Sequence, residues 1–165
     1  MRVPSCDIAP VNGATTWSFI DKNGTVLRSG YTALSHSLVS NLWAAQNTSG
    51  KFEVFDDANK NVSALSGYES IDFPQTAEDK EIFQVKKDGK WGCINRNGDV
   101  IIPIEYEMIS RNVKDAIAIM KDKKWGMVTA DNQELIPMEY ANVIMPSERN
   151  TKHYWVQKDD SLYYH

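Results

Sequence analysis

Glu105 and Glu107 flank Tyr106, and Glu139 precedes Tyr140. Paired carboxylates can do acid–base work when one is protonated and the other ionised. Alternation beside the tyrosine, however, puts these glutamates on an outer, solvated strand end. His36, His153 and His165 are far apart, and none stands at metal-ligand spacing from a cysteine or an acid. Asn95-x-Asn97-x-Asp99 has the spaced oxygens of a calcium loop but lacks its glycine and late glutamate, so it reads as a hairpin turn. No G-x-S-x-G elbow, Walker loop or G-x-G-x-x-G is present. No catalytic residue, metal ligand or cofactor site is assigned, and a non-enzyme is expected. The enzymatic alternative rests on Glu105, Glu107, Glu139 and His153 alone.

Two other sets of residues could bind rather than react. The hairpin tips Lys86-Lys87-Asp-Gly-Lys90 and Lys121-Asp-Lys123-Lys124 would line one rim of a stacked array and form a basic edge on a chain of net charge −4. Such an edge suits an acidic partner, although lysines also blunt sheet edges. Tyr154, Trp155, Tyr163 and Tyr164 gather near the C-terminus, either sealing the stack or forming an aromatic platform for protein or sugar.

The elements that would carry these residues repeat. Trp91-Gly-Cys-Ile-Asn-Arg-Asn-Gly-Asp-Val-Ile-Ile-Pro-Ile-Glu-Tyr106 aligns without a gap on Trp125-Gly-Met-Val-Thr-Ala-Asp-Asn-Gln-Glu-Leu-Ile-Pro-Met-Glu-Tyr140, a period of 34 residues. Weaker copies run from Trp17 to Tyr31 and from Phe52 to Tyr68. The columns are Trp17, Phe52, Trp91 and Trp125, then Tyr31, Tyr68, Tyr106 and Tyr140. Three residues past each tyrosine stand Leu34, Ile71, Ile109 and Val143. Such periods belong to arrays whose units cannot bury their faces alone.

Each unit reads as short antiparallel strands. Phe83-Gln-Val-Lys alternates with period 2, Asp88-Gly89 signals a tight hairpin, Trp91–Ile94 is the next strand, and Val100-Ile-Ile follows the turn at 95–98, stopping at Pro103. Gly92 and Gly126 lack a side chain where a backbone or a large ring presses close. Thr32–Gln46 breaks the pattern: Leu34, Leu38, Leu42 and Ala45 recur at helical spacing, so a short helix or a loop leading to a strand at Leu42 is expected. The segment 71–79, with Pro74, reads as a long loop, a common place for a binding face.

The expected fold is all-β: tandem antiparallel units of three or four strands, about four copies plus a terminal strand, as a propeller-like or open array. The chain forms one repeat domain, 1–165, with units near 14–40, 41–80, 81–113 and 114–150 and a terminal strand in 151–165. That strand either closes a ring on the N-terminal unit or leaves Val3 or Ile8–Val11 to supply the missing strand. The tryptophans sit in columns that look buried.

No run of ~18 apolar residues exists, so no helical span and no membrane insertion is expected. The mildly acidic charge argues against a nucleic-acid partner. Cys6 and Cys93 are the only cysteines. Cys93 shares a column with Phe19, Val54 and Met127 and reads as a small core residue. Two scattered cysteines fit a reducing compartment, and the N-terminal residues lack a signal-peptide apolar region; an exported form stays open.

The string from Asp88 to Glu107 resembles the WG-repeat family of bacterial proteins, whose units run close to D-G-K-W-G-F-I-D-K-N-G-x-x-V-I-P-x-x-Y-D. It matches at Trp91–Gly92, Asn97–Gly98, Ile101–Pro103 and Tyr106, and again from Lys124 to Tyr140. In the first copy Ser18 replaces the glycine and Ser29-Gly30 the proline segment; the second has lost the Trp-Gly pair. The resemblance implies a β-repeat scaffold with no common enzymatic activity. The expected function is binding of another protein through a loop face or hairpin rim, as an effector or toxin-neutralising adaptor. The alternative is a carbohydrate or cell-wall binding module with a glycan ligand.

Overall fold

The computed structural model describes residues 8–75, 81–113, 115–144, 154–158 and the backbone of 161–164. Five antiparallel sheets follow one another along the chain. The first holds β1 (Ile8–Asn12), β2 (Trp17–Asp21) and β3 (Val26–Tyr31). The second holds β4 (Ala33–Ser37), β5 (Leu42–Gln46) and β6 (Phe52–Asp56). The third holds β7 (Ser70–Asp72), β8 (Phe83–Lys87), β9 (Lys90–Ile94) and β10 (Val100–Tyr106). The fourth holds β11 (Met108–Ile109), β12 (Ala116–Lys121), β13 (Lys124–Thr129) and β14 (Glu134–Tyr140). The fifth holds β15 (Asn142–Ile144), β16 (Trp155–Lys158) and β17 (Ser161–Tyr164).

Every sheet is a meander, and the chain leaves one at a column tyrosine to enter the next. The apolar column three residues past each tyrosine is therefore the first strand of the following sheet: Leu34 in β4, Ile71 in β7, Ile109 in β11 and Val143 in β15. The terminal strand read from the sequence is the middle of the fifth sheet, bonded to β15 and β17. It does not complete the first sheet; Ile8–Asn12 does that, pairing along the whole of β2. The array is open among the described residues and propeller-like in strand order.

The core lies between sheets. Phe19, Tyr31, Ala45 and Phe55 join the first to the second. Leu42, Val54, Phe83 and Val85 join the second to the third, and Cys93, Ile102, Ile117 and Ile119 the third to the fourth. Ala116, Ala118, Met127 and Val156 join the fourth to the fifth. Central strands are thus buried on both faces. In β12 the isoleucines meet one neighbour and the alanines the other, giving the unbroken apolar run Ala-Ile-Ala-Ile.

The same double burial decides between the two readings of Thr32–Gln46: the helix is overturned, and the strand beginning at Leu42 stands. That segment is a hairpin, Ala33–Ser37 against Leu42–Gln46 in regular register. Leu42, Ala44 and Ala45 are buried on two faces, which mimics helical spacing, while Leu38 stands 81% exposed in the turn. The strand expected to stop at Pro103 instead runs through it. Ile102 pairs with Cys93 and Tyr106 with Trp91, so β10 carries two more residues than β9 over that interval. Pro103 sits in this bulge, where its missing N–H has no ladder bond to lose.

The bulge explains the Trp-Gly pair. A Cβ on Gly92 would lie 2.6 Å from the Pro103 carbonyl oxygen and 2.7 Å from Ile104 Cα. On Gly126 it would lie 2.8 Å from the Ile136 carbonyl oxygen. Copies that lack this glycine hold one opposite it. Ser18 and Glu53 occupy the column in β2 and β6, and the residues before the facing tyrosines are Gly30 (φ 85) and Gly67 (φ 90). In the second copy no fourth strand forms. A 3-10 turn, Ser63–Leu65, replaces it, yet the Phe52 amide still bonds the Tyr68 carbonyl at 2.9 Å and the Gly67 amide the Phe52 carbonyl at 2.7 Å.

Candidate functional site

The turns that follow β2, β6, β9 and β13 are built alike. Asp21 Oδ1 accepts from the amides of Asn23 and Thr25, both at 2.8 Å. Asp56 Oδ1 accepts from Ala58 and Lys60, and Asn95 Oδ1 from Asn97 and Asp99. The fourth residue of each turn has positive φ: Gly24, Asn59, Gly98 and Asn132. These are side-chain-capped turns; in the calcium-like spacing, Asn95 Oδ1 is spent on the backbone and Asp99 Oδ2 accepts from Asn95 Nδ2–H at 2.8 Å. The bond from the Thr25 amide is the first cause holding the Asp21 carboxyl below the usual aspartate range.

At the opposite end lie the hairpins between second and third strands, which carry the lysine tips. Lys121 Nζ pairs with Glu105 at 3.1 Å and Lys158 Nζ with Glu139 at 3.2 Å, each linking a hairpin to the preceding sheet. Lys90 Nζ lies 3.7 Å from Glu107, as Lys51 Nζ lies 3.2 Å from Glu69. Glu69 also accepts the amides of Asp88 and Gly89, so it fastens the next hairpin. The Gly89 bond, then Lys51, holds its carboxyl below the usual glutamate range. The glutamates beside the tyrosines thus serve as ion-pair partners at a solvated rim.

The six lysines of the expected rim divide. Lys90 and Lys121 are paired, and Lys86 Nζ lies 5.7 Å from the Trp91 ring centroid. Lys87, Lys123 and Lys124 are exposed and hold no ion pair among the described residues. The reason is local. Gly67 stands before Tyr68 where Glu105 and Glu139 stand before theirs. Ala141 follows Tyr140 where Glu69 and Glu107 follow theirs.

Trp17, Trp43, Trp91 and Trp125 are half-buried and Trp155 is exposed, a correction to the expectation of buried columns. The reason is that each is the first or second residue of its strand, near the array's end rather than in its middle. Trp43 stacks on His36 at 4.1 Å and donates Nε1–H to Asp57 at 2.9 Å; His36 Nε2 bonds the same carboxylate oxygen at 3.1 Å. Of the C-terminal aromatics, Tyr154 packs on the interface between the fourth and fifth sheets, and Trp155 is 41% exposed. Tyr163 and Tyr164 are placed in β17, and their side chains lie outside the described residues, as do His153, His165 and Cys6. Cys93 is fully buried, and burial pushes its thiol up to about 12, so it stays protonated and packs as a small apolar group.

The sequence reading missed a second concavity, at the end away from the lysines. A cleft of about 100 Å³ opens between the third and fourth sheets, lined by Asp72, Phe73, Gln84, Arg111 and Asn112 among others. Its loop from Phe73 was legible as a long insertion. Arg111 and Asn112 carried no signal, because they meet Asp72 only after the next sheet packs.

The fold and its two ends define a class: an all-β array of antiparallel meanders, a repeat scaffold whose chemistry sits on turns. Residues 91–125 match the family model described as WG containing repeat. No curated protein sequence matches it. A solved structure described as a eukaryotic initiation factor superposes on the whole chain with a TM-score of 0.51 at 13% identity, a likeness of fold alone; the chain covers 50% of that protein. PorZ, a bacterial surface component of the type-IX secretion system of Porphyromonas gingivalis, covers the whole chain at 10% identity and a TM-score of 0.44. The chain covers 26% of PorZ, and this likeness carries no argument.

Proposed function

We propose that the chain is a non-enzymatic scaffold that binds another protein, one with an acidic surface, through Lys87, Lys123 and Lys124. The observation that carries this reading is the gap in the glutamate columns. Lys90 and Lys121 on the same two hairpins are neutralised by glutamates, whereas these three stay exposed on two adjacent sheets at one end of the array. Charges at a rim steer association and set partner choice more than they add affinity. A repeat scaffold suits the task, since equivalent turns recur at fixed spacing. The glycan reading is less well supported. Stacking on a sugar needs an open ring face, and the rings of Trp43 and Trp91 are already met by His36 and Lys86.

The test is affinity capture by the wild-type chain beside a Lys87→Glu, Lys123→Glu, Lys124→Glu variant, with folding checked by circular dichroism. A stoichiometric protein held by the wild type, released by salt and lost by the folded variant supports the reading. Equal capture by both sinks the lysine rim as the face.

A further inference from the structure

The cleft between the third and fourth sheets has a composition that ion pairing and packing do not account for. Asp72, at the end of β7, brings a carboxylate to one wall. Arg111, in the loop between β11 and β12, brings a guanidinium to the other. The two feel each other's charge, yet no ion pair joins them among the described residues. Elsewhere at sheet junctions this chain closes opposite charges into contact, as at Lys121–Glu105 and Lys158–Glu139. Asn112 adds a second anomaly. Its Oδ1 is shut off from solvent and has no hydrogen-bond partner among the described residues. The floor is fixed: Gln84, buried in β8, donates Nε2–H to the Ser110 carbonyl across the junction. Phe73, Pro74, Ile82 and Ile117 supply the apolar wall.

We infer that this cleft is a binding site for a small zwitterion, an α-amino acid, whose ammonium meets Asp72 and whose carboxylate meets Arg111. The ammonium carries three donors and no acceptor, which suits the Asp72 carboxylate. The guanidinium offers a planar fork matched to a carboxylate. Two opposite charges held apart on one cleft favour a ligand bearing both over either half alone, because a half-ligand makes only one of the two pairings. Volume sets the size: about 100 Å³ holds roughly three waters' worth of space. That is well below the several hundred Å³ of a drug-sized pocket, so the side chain is short and lies on the apolar wall. Desolvation against that wall pushes the Asp72 carboxyl above the usual aspartate range, a cost that a bound ammonium offsets. The site lies at the end away from the lysine rim, since Asp72 pairs with Gln84 and Ser70 with Lys86 along the same strands. It stands or falls independently of the protein-binding proposal.

The experiment is a proton–nitrogen NMR titration of the full chain with serine and alanine, each beside acetate and ethylamine as half-ligands. The expected result is saturable shifts of the Gln84 and Asn112 side-chain amides and of backbone amides in Asp72–Gln75. An affinity at least about tenfold above that of either half-ligand is expected, with a loss of about tenfold or more in both Asp72→Asn and Arg111→Gln. Both variants alter accessible side chains, and their melting temperatures are compared with the wild type to confirm folding. Acetate binding as tightly as serine would reduce the cleft to a general anion site and overturn the inference. So would unchanged affinity in the folded variants, or no shift of the cleft amides at tens of millimolar amino acid.

Discussion

Gly92 shows how much one residue decides here. The arch of β10 over β9 leaves no room for a Cβ, and three backbone atoms lie closer than any real Cβ contact. Backbone cannot turn aside as a flexible side chain does, so Gly92→Ala is expected to cost about 2–3 kcal/mol, at the upper end of overpacking. Gly50, which has positive φ and open space where its Cβ would lie, is the control: Gly50→Ala carries only left-handed strain, about 1 kcal/mol. Urea denaturation of the two variants checks this, and equal midpoints would count against the arch. The Trp-Gly pair and the proline were legible as a motif, but their reason was not, because it lies in a register shift that no spacing encodes. The compensation was written in the chain all the same. Gly30 and Gly67 precede the facing tyrosines in the copies whose opening aromatic is followed by Ser18 or Glu53.

Among elements, hairpins and capped turns were the most legible, since Asp, Asn and Gly act through bonds within four residues. The first strand of each sheet was not. β7 and β11 are three and two residues long, too short to show alternation, and only their column past the tyrosines betrayed them. In the hairpin from Ala33 to Gln46 the strand at Leu42 was one of two readings and the strand from Ala33 was missed, because burial on both faces erases the period-2 signal. Glu69 ties these elements together, joining the second sheet's Lys51 to the third sheet's hairpin amides. Its folded carboxyl lies below the ordinary value of 4.5. Such a group stabilises the fold fully above that value and loses its contribution as pH falls through the folded one. The wild type should therefore weaken on acidification from about pH 5 towards pH 3, and Glu69→Gln should weaken less steeply over that window while starting less stable at pH 7. Urea midpoints taken at steps across this range decide it. Parallel slopes would mean that Glu69 does not fasten the hairpin.

At the scale of the molecule, the core is four separate interfaces, each between sheets adjacent in the chain. The periodicity alone announced this, because a short meander with two apolar faces needs a neighbour on each side. The cleft with Asp72 and Arg111 stayed hidden for the same reason: it belongs to a junction, and neither residue is unusual within its own unit. An array of this kind has nearest-neighbour energetics, so damage at one interface should stay local. Phe19 is fully buried between the first two sheets, with its ring edge-on to Trp43 and Phe55 at 5.1 and 4.9 Å. Phe19→Ala removes that contact and is expected to cost about 3–5 kcal/mol at its own interface. Met127 does the equivalent work between the fourth and fifth sheets, and Met127→Ala should cost about 2–5 kcal/mol there. Native-state hydrogen exchange separates local from global loss. Phe19→Ala should speed exchange in β1–β6 and leave β12–β14 close to wild type, and Met127→Ala should do the reverse. If both variants instead lose protection evenly along the chain, the sheets unfold as one unit, and the nearest-neighbour description of this array is wrong.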